Sequence, residues 1–212
     1  MKGLRFFFVG FILSLPFWLG FNLSEARLEN LFFSQFYLSS PEVVLAKVPL
    51  PEPKIDAKSF LVLQIDPDGS QKIILEKNSK AELPIASLTK LMTTVVASDN
   101  LPLSQKVKIS QAAVSQEGAA GRLKVGEKIE VGELLKMSLV ESSNDAAEAL
   151  AETLGRNKFI EAMNEKADSL GLRSTQFSTP TGLEAEGNFS TARDLVSLAA
   201  FILKEHETLF MV

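Results

Sequence analysis

The spacing of apolar residues changes several times along the chain, and each change predicts an element. Residues 6–23 carry no charge and follow Lys2 and Arg5. Eighteen uncharged residues reach the lower length of a membrane span. The basic end is expected to stay cytoplasmic, so the rest is exported. Ser24-Glu25-Ala26 has the small-x-small form of a signal-peptidase site. Residues 1–27 are therefore expected to be a membrane anchor or a signal peptide. The anchor is preferred, although Pro16 interrupts the run. Residues 28–38 form a second apolar patch. Residues 39–58 hold Pro41, Pro49, Pro51 and Pro53, which predicts a semi-rigid linker. The folded domain is expected over residues 59–212.

Inside that domain the pattern is mixed. Residues 59–66 and 71–77 are strand-like, and Pro67-Asp68-Gly69-Ser70 between them is turn chemistry. A β-hairpin follows from this. Apolar positions then recur at helical spacing from Ile85 to about Asn100. Residues 107–110 suggest a short strand, and 111–121 a helical turn running into a loop. Residues 131–141 and 146–155 read as two helices parted by Ser142-Ser143-Asn144-Asp145. Residues 157–170 read as another helix, closed by Gly171. A loop covers 173–190, and Thr191 caps a last helix to about Glu205.

Composition narrows the chemistry. The chain has 212 residues, 46% hydrophobic, with a net charge of −4. It is long enough to bury a core, and no basic footprint argues for nucleic acid. There is no cysteine, so disulfides, thiol catalysis and cysteine metal sites are excluded. His206 is the one histidine, so a multi-histidine metal site is excluded too. It reads as a helix-end residue whose charge suits the dipole. Glu117 and Glu141 read as surface or capping groups.

Ser87 and Lys90 stand three residues apart at the start of the first helix. That spacing shares one helix face. Serine needs a neighbouring base to become a nucleophile. Lysine is such a base only when burial or other cations lower its pKa. Leu83, Ile85, Leu88, Leu91 and Met92 supply apolar surroundings. The helix start adds free N–H groups that favour an oxyanion. The plain alternative is a capped amphipathic helix with a solvated lysine, since Ser-x-x-K arises by chance about once in a chain this long. A second constellation, Ser142-x-Asn144, lies between two helices, where Ser and Asn are ordinary caps.

Taken together, Ser-x-x-Lys and Ser-x-Asn are two of the three motifs of penicillin-recognising serine enzymes. The segments Ala86-Ser87-Leu88-Thr89-Lys90-Leu91-Met92-Thr93 and Glu141-Ser142-Ser143-Asn144-Asp145-Ala146 resemble those of the D-alanyl-D-alanine carboxypeptidases, the low-molecular-mass penicillin-binding proteins. Leu123-Lys124-Val125-Gly126-Glu127, Thr179-Pro180-Thr181-Gly182-Leu183 and Ser190-Thr191-Ala192-Arg193-Asp194 match more softly, in the same order. The resemblance implies an α/β (α+β) fold of the β-lactamase/transpeptidase type. It implies that Ser87 attacks the carbonyl between the two terminal D-alanines of a peptidoglycan stem peptide. Lys90 would take the proton, Ser142 would pass it to the departing D-alanine, and Asn144 would orient the substrate amide and Lys90. β-Lactams would acylate the same serine. No metal or organic cofactor is implied. The expected location is the outer side of a bacterial cell membrane.

The family's third motif, Lys-Thr-Gly or Lys-Ser-Gly, is not matched, because no Lys here is followed by Thr-Gly or Ser-Gly. The expectation is therefore a truncated chain lacking the later sheet strands, with an open-edged hairpin. One oxyanion-hole donor would be lost with them, which typically costs ~10²–10³ in rate. Two alternatives accompany the carboxypeptidase reading: a non-catalytic peptidoglycan- or penicillin-binding module, and a β-lactamase.

Overall fold

A computed structural model describes residues 53–118, 123–183 and 187–206. The expected anchor, the second apolar patch and residues 39–52 of the linker lie outside the described residues. Among the described residues no helix is long and apolar enough to cross a membrane. Ile55–Val212 forms one compact unit.

The hairpin is present: β1 (Phe60–Ile65) pairs antiparallel with β2 (Gln71–Lys77). Its turn closes as the residue types require. Gly69 takes φ +82°, and the Asp68 carboxylate accepts the Ser70 N–H at 2.9 Å. Two further ladders are short. β3 (Leu83–Pro84) pairs with β6 (Phe189–Ser190), and β4 (Lys106–Lys108) with β5 (Lys128–Glu130). Neither partner of the β3–β6 pair is predicted from the sequence: β3 lies in the lead-in to the first helix and β6 in the stretch that reads as loop, because two-residue strands carry no period.

The helical layer holds the core. A 3₁₀ turn (Ala86–Leu88) feeds α1 (Thr89–Asn100). A short α2 (Gln111–Val114) is capped by the Ser110 hydroxyl. Then come α3 (Val131–Val140), α4 (Asn144–Leu154), α5 (Arg156–Ser169) and α6 (Ala192–Glu205). Met92, Val95, Val96 and Ala97 bury one side of α1 against α3, α4, α5 and α6. On α4 the small residues Ala146, Ala147, Ala149 and Ala151 let its neighbours approach closely. The caps match their sequence signals: Ser143 Oγ accepts the Ala146 N–H at 3.1 Å, and Thr191 Oγ1 accepts that of Asp194 at 3.0 Å.

His206 ends α6, as the sequence suggests. Its Nε2 lies 3.2 Å from Asp99 on α1, which also pairs with Lys166 at 2.6 Å. Three helices are tied together there, at the opposite end of α1 from Lys90.

Candidate active site

Ser87 is exposed in the 3₁₀ turn, and Lys90 is 2% exposed in the first turn of α1. The expectation put both on one regular helix, but α1 begins only at Thr89. The tighter turn still brings the side chains together. Lys90 Nζ donates to Ser87 Oγ at 3.1 Å. The turn is set by Ala86, which holds φ +45° immediately before the serine. A non-glycine residue there stores strain, as backbone at functional sites often does.

Burial pulls the Lys90 pKa from 10.5 down to about 8. The charged form loses water and gains no carboxylate in exchange. A lysine at that value is roughly one-tenth neutral at pH 7, against a few in ten thousand for an ordinary one. Its second acceptor is the Thr181 carbonyl at 3.0 Å. That contact comes from the Thr179–Leu183 loop, which sequence matching found without assigning it a role.

Gly182 explains how the loop comes so close. It has φ +79°, and a Cβ there would overlap the Ala86 carbonyl and stand 2.8 Å from Thr89 Oγ1. Only glycine lets this backbone lie against the turn that carries Ser87.

Ser142 completes the cavity from α3's end. Ser142, Ser87, Lys90, Leu88, Leu91 and Leu139 are among its lining residues, around a volume of about 450 Å³. Ser142 takes φ +55°, the left-handed position that usually ends a helix with glycine. The Ser143 N–H turns back to the Met137 carbonyl at 3.1 Å. α3 stops there, and α4 starts two residues later.

Asn144 follows at the head of α4 and is 5% exposed. It does not line that cavity. Its Nδ2 donates to the Glu117 carbonyl at 2.7 Å, and its Oδ1 has no partner among the described residues. Gly118 makes room for it, since a Cβ there would come within 2.8 Å of Nδ2. Three of the four sequence-predicted residues thus share one cavity, and the fourth is buried against the Glu117 carbonyl instead.

A buried amine on an exposed serine, with a second serine across the same cavity, is the arrangement of serine–lysine acyl-transfer proteins. The profile of the D-alanyl-D-alanine carboxypeptidases matches residues 46–212. The chain belongs to that family. It is 38% identical over 156 residues to the D-alanyl-D-alanine carboxypeptidase DacF of Bacillus subtilis, covering 70% of this chain and 39% of that one. It is 41% identical over 131 residues to a D-alanyl-D-alanine endopeptidase of Pseudomonas aeruginosa, covering 60% and 42%.

Two solved structures agree in fold. The D-alanyl-D-alanine carboxypeptidase DacD of Francisella tularensis superposes with a TM-score of 0.68 at 31% identity, over 80% of this chain and 43% of its own. The S216A mutant of the Streptomyces K15 DD-transpeptidase gives 0.67 at 32%, over 73% and 64%. The fold is thus the α+β, transpeptidase-like one the resemblance implied. The chain spans about two fifths of the length of these two curated relatives.

Proposed function

We propose that this chain carries the nucleophile half of a serine-type D-alanyl-D-alanine carboxypeptidase acting on peptidoglycan stem peptides. One observation carries the reading: a lysine amine, stripped of water, lies 3.1 Å from an exposed serine hydroxyl. Neutral Lys90 takes the Ser87 proton as Oγ attacks the carbonyl between the two D-alanines. Ser142, on the same cavity, relays that proton to the departing amine. The resemblance gives Asn144 the task of orienting the substrate amide; its Oδ1 is buried beside the Glu117 contact, so the side chain has to turn to reach a substrate. An acyl group is left on Ser87, and water releases it. β-Lactams take the same route and stay bound.

The uncharged run behind Lys2 and Arg5 supports placing this domain on the outer face of a bacterial cytoplasmic membrane, held there by residues 1–27.

Labelled penicillin tests the chemistry. The expected result is a lasting covalent adduct that Ser87→Ala abolishes. Rapid release of hydrolysed drug would identify a β-lactamase. No adduct at saturating probe would leave a peptide-binding module in its place.

A further inference from the structure

The Thr181 carbonyl reaches Lys90 from a loop 91 residues away, and two side chains with no role assigned so far hold that loop. Asn188 is 1% exposed. Its Oδ1 accepts the N–H groups of Ser178 at 3.1 Å and Thr179 at 3.3 Å. Its Nδ2 donates to Ser178 Oγ at 3.0 Å and Thr179 Oγ1 at 2.9 Å. Thr179 Oγ1 in turn accepts the Gly182 N–H at 3.0 Å, which closes the turn around Thr181. The Asn188 carbonyl also accepts the Ile85 N–H at 3.4 Å, two residues before Ser87.

From the other side, Thr93 lies one turn beyond Lys90 and is fully buried. The shortest contact of its hydroxyl, 2.7 Å, is to the Pro180 carbonyl. A hydroxyl has one proton to give, and this acceptor takes it.

We propose that Asn188 and Thr93 are positioning residues that pin the Thr179–Thr181 turn onto Lys90 and so keep its amine aimed at Ser87. The proposal rests on the acyl-transfer reading of that pair. Lysine reaches its site on a flexible four-carbon stem, so its head is placed only by what it bonds to. Ser87 is exposed and gives a weak anchor. The buried carbonyl is the firm one, and it is only as firm as the turn that bears it. The same turn shields Nζ from water. No charged group on the helices packed against α1, Asp145 and Glu148 on α4 included, contributes to the lowered Lys90 pKa, which comes from burial alone. Loosening the turn therefore lets water back and returns the amine toward ordinary lysine behaviour.

The test follows the Lys90 Cε resonance against pH in the full chain with ¹³C-lysine, assigned through Lys90→Met. Thr93→Val keeps the side chain's shape and removes its hydrogen bond. Asn188→Ala removes the other clamp. In either variant the Lys90 midpoint is expected to rise by about one unit or more, and penicillin capture at pH 7.5 to fall about tenfold. Capture recovers at higher pH. Simple destabilisation lowers the melting temperature but leaves the folded-state midpoint in place. Folded variants whose midpoint matches the parent's overturn the proposal. If Asn188→Ala does not fold, Thr93→Val decides alone. A midpoint that shifts in a chain forming no penicillin adduct keeps the clamp and removes the acyl-transfer reading, so the two failures are distinct.

Discussion

At Lys90 the folded and unfolded chains hold different numbers of protons between pH 8 and 10.5. The folded pKa is the lower one, so the unfolded chain binds more protons in that window and stability rises with pH across it. Below pH 8 the buried ammonium costs the fold about 3 kcal/mol, taking ~1.4 kcal/mol per pKa unit. Lys90→Met is expected to be the more stable protein at pH 7, and to lose that lead as pH climbs to 10.5. Urea midpoints of both proteins at pH 7 and 10 measure this, and a constant gap would refute the burial of the amine. Ser142 offers a second test. Its left-handed backbone costs about 1–2 kcal/mol in a non-glycine residue, and glycine's extra unfolded freedom returns about 0.5–1. Ser142→Gly should therefore gain about 0.5 kcal/mol in melting experiments while slowing penicillin acylation.

Among the elements, the Thr179–Leu183 loop matters most to the site, though it has no regular structure. It supplies an acceptor to Lys90 and backs the Ser87 turn through Gly182. Gly126 makes a useful comparison. It also has positive φ, +85°, but an added Cβ there meets nothing within 4 Å. Gly126→Ala should cost only its backbone strain, about 1 kcal/mol. Gly182→Ala should cost clearly more and also abolish penicillin capture, because the Ala86 carbonyl has to move and Ser87 moves with it. Thermal melts and gel detection of the adduct read both effects. Equal losses in the two variants would mean that the loop does not set the nucleophile. Part of this was legible beforehand. The Thr-Pro-Thr-Gly-Leu run stood out as a match, but sequence does not tell which carbonyl an amine will find 91 residues away.

Among the described residues of the whole molecule, the helices are closed around α1 and the hairpin's apolar faces are left partly uncovered. Val62, Ile65, Ile73 and Ile74 are each about two-fifths exposed. Two strands with apolar side chains facing water form a template for pairing with other chains. The chain is expected to self-associate as concentration rises, and Ile74→Thr to reduce this without changing penicillin capture. Light scattering over a concentration series decides it. Association unaffected by Ile74→Thr would place the contact elsewhere. The site lies in the helical layer, so its geometry does not need the hairpin's faces to be covered.

The sequence by itself determined the hairpin, the longer helices, their caps and the Ser87–Lys90 pairing. These are short-range features, written in turn residues and in apolar spacing that neighbouring positions impose on each other. It also gave Ser142 and Asn144, through motif matching. Only the tertiary structure decided that Lys90 is dry, that Ser142 faces the same cavity, and that Asp145 and Glu148 are buried with carboxyl pKa values raised by loss of water. It decided, too, that Gly182 and the Thr181 carbonyl close over the amine. Burial and long-range hydrogen bonds depend on which distant segments meet, and no local pattern carries that information.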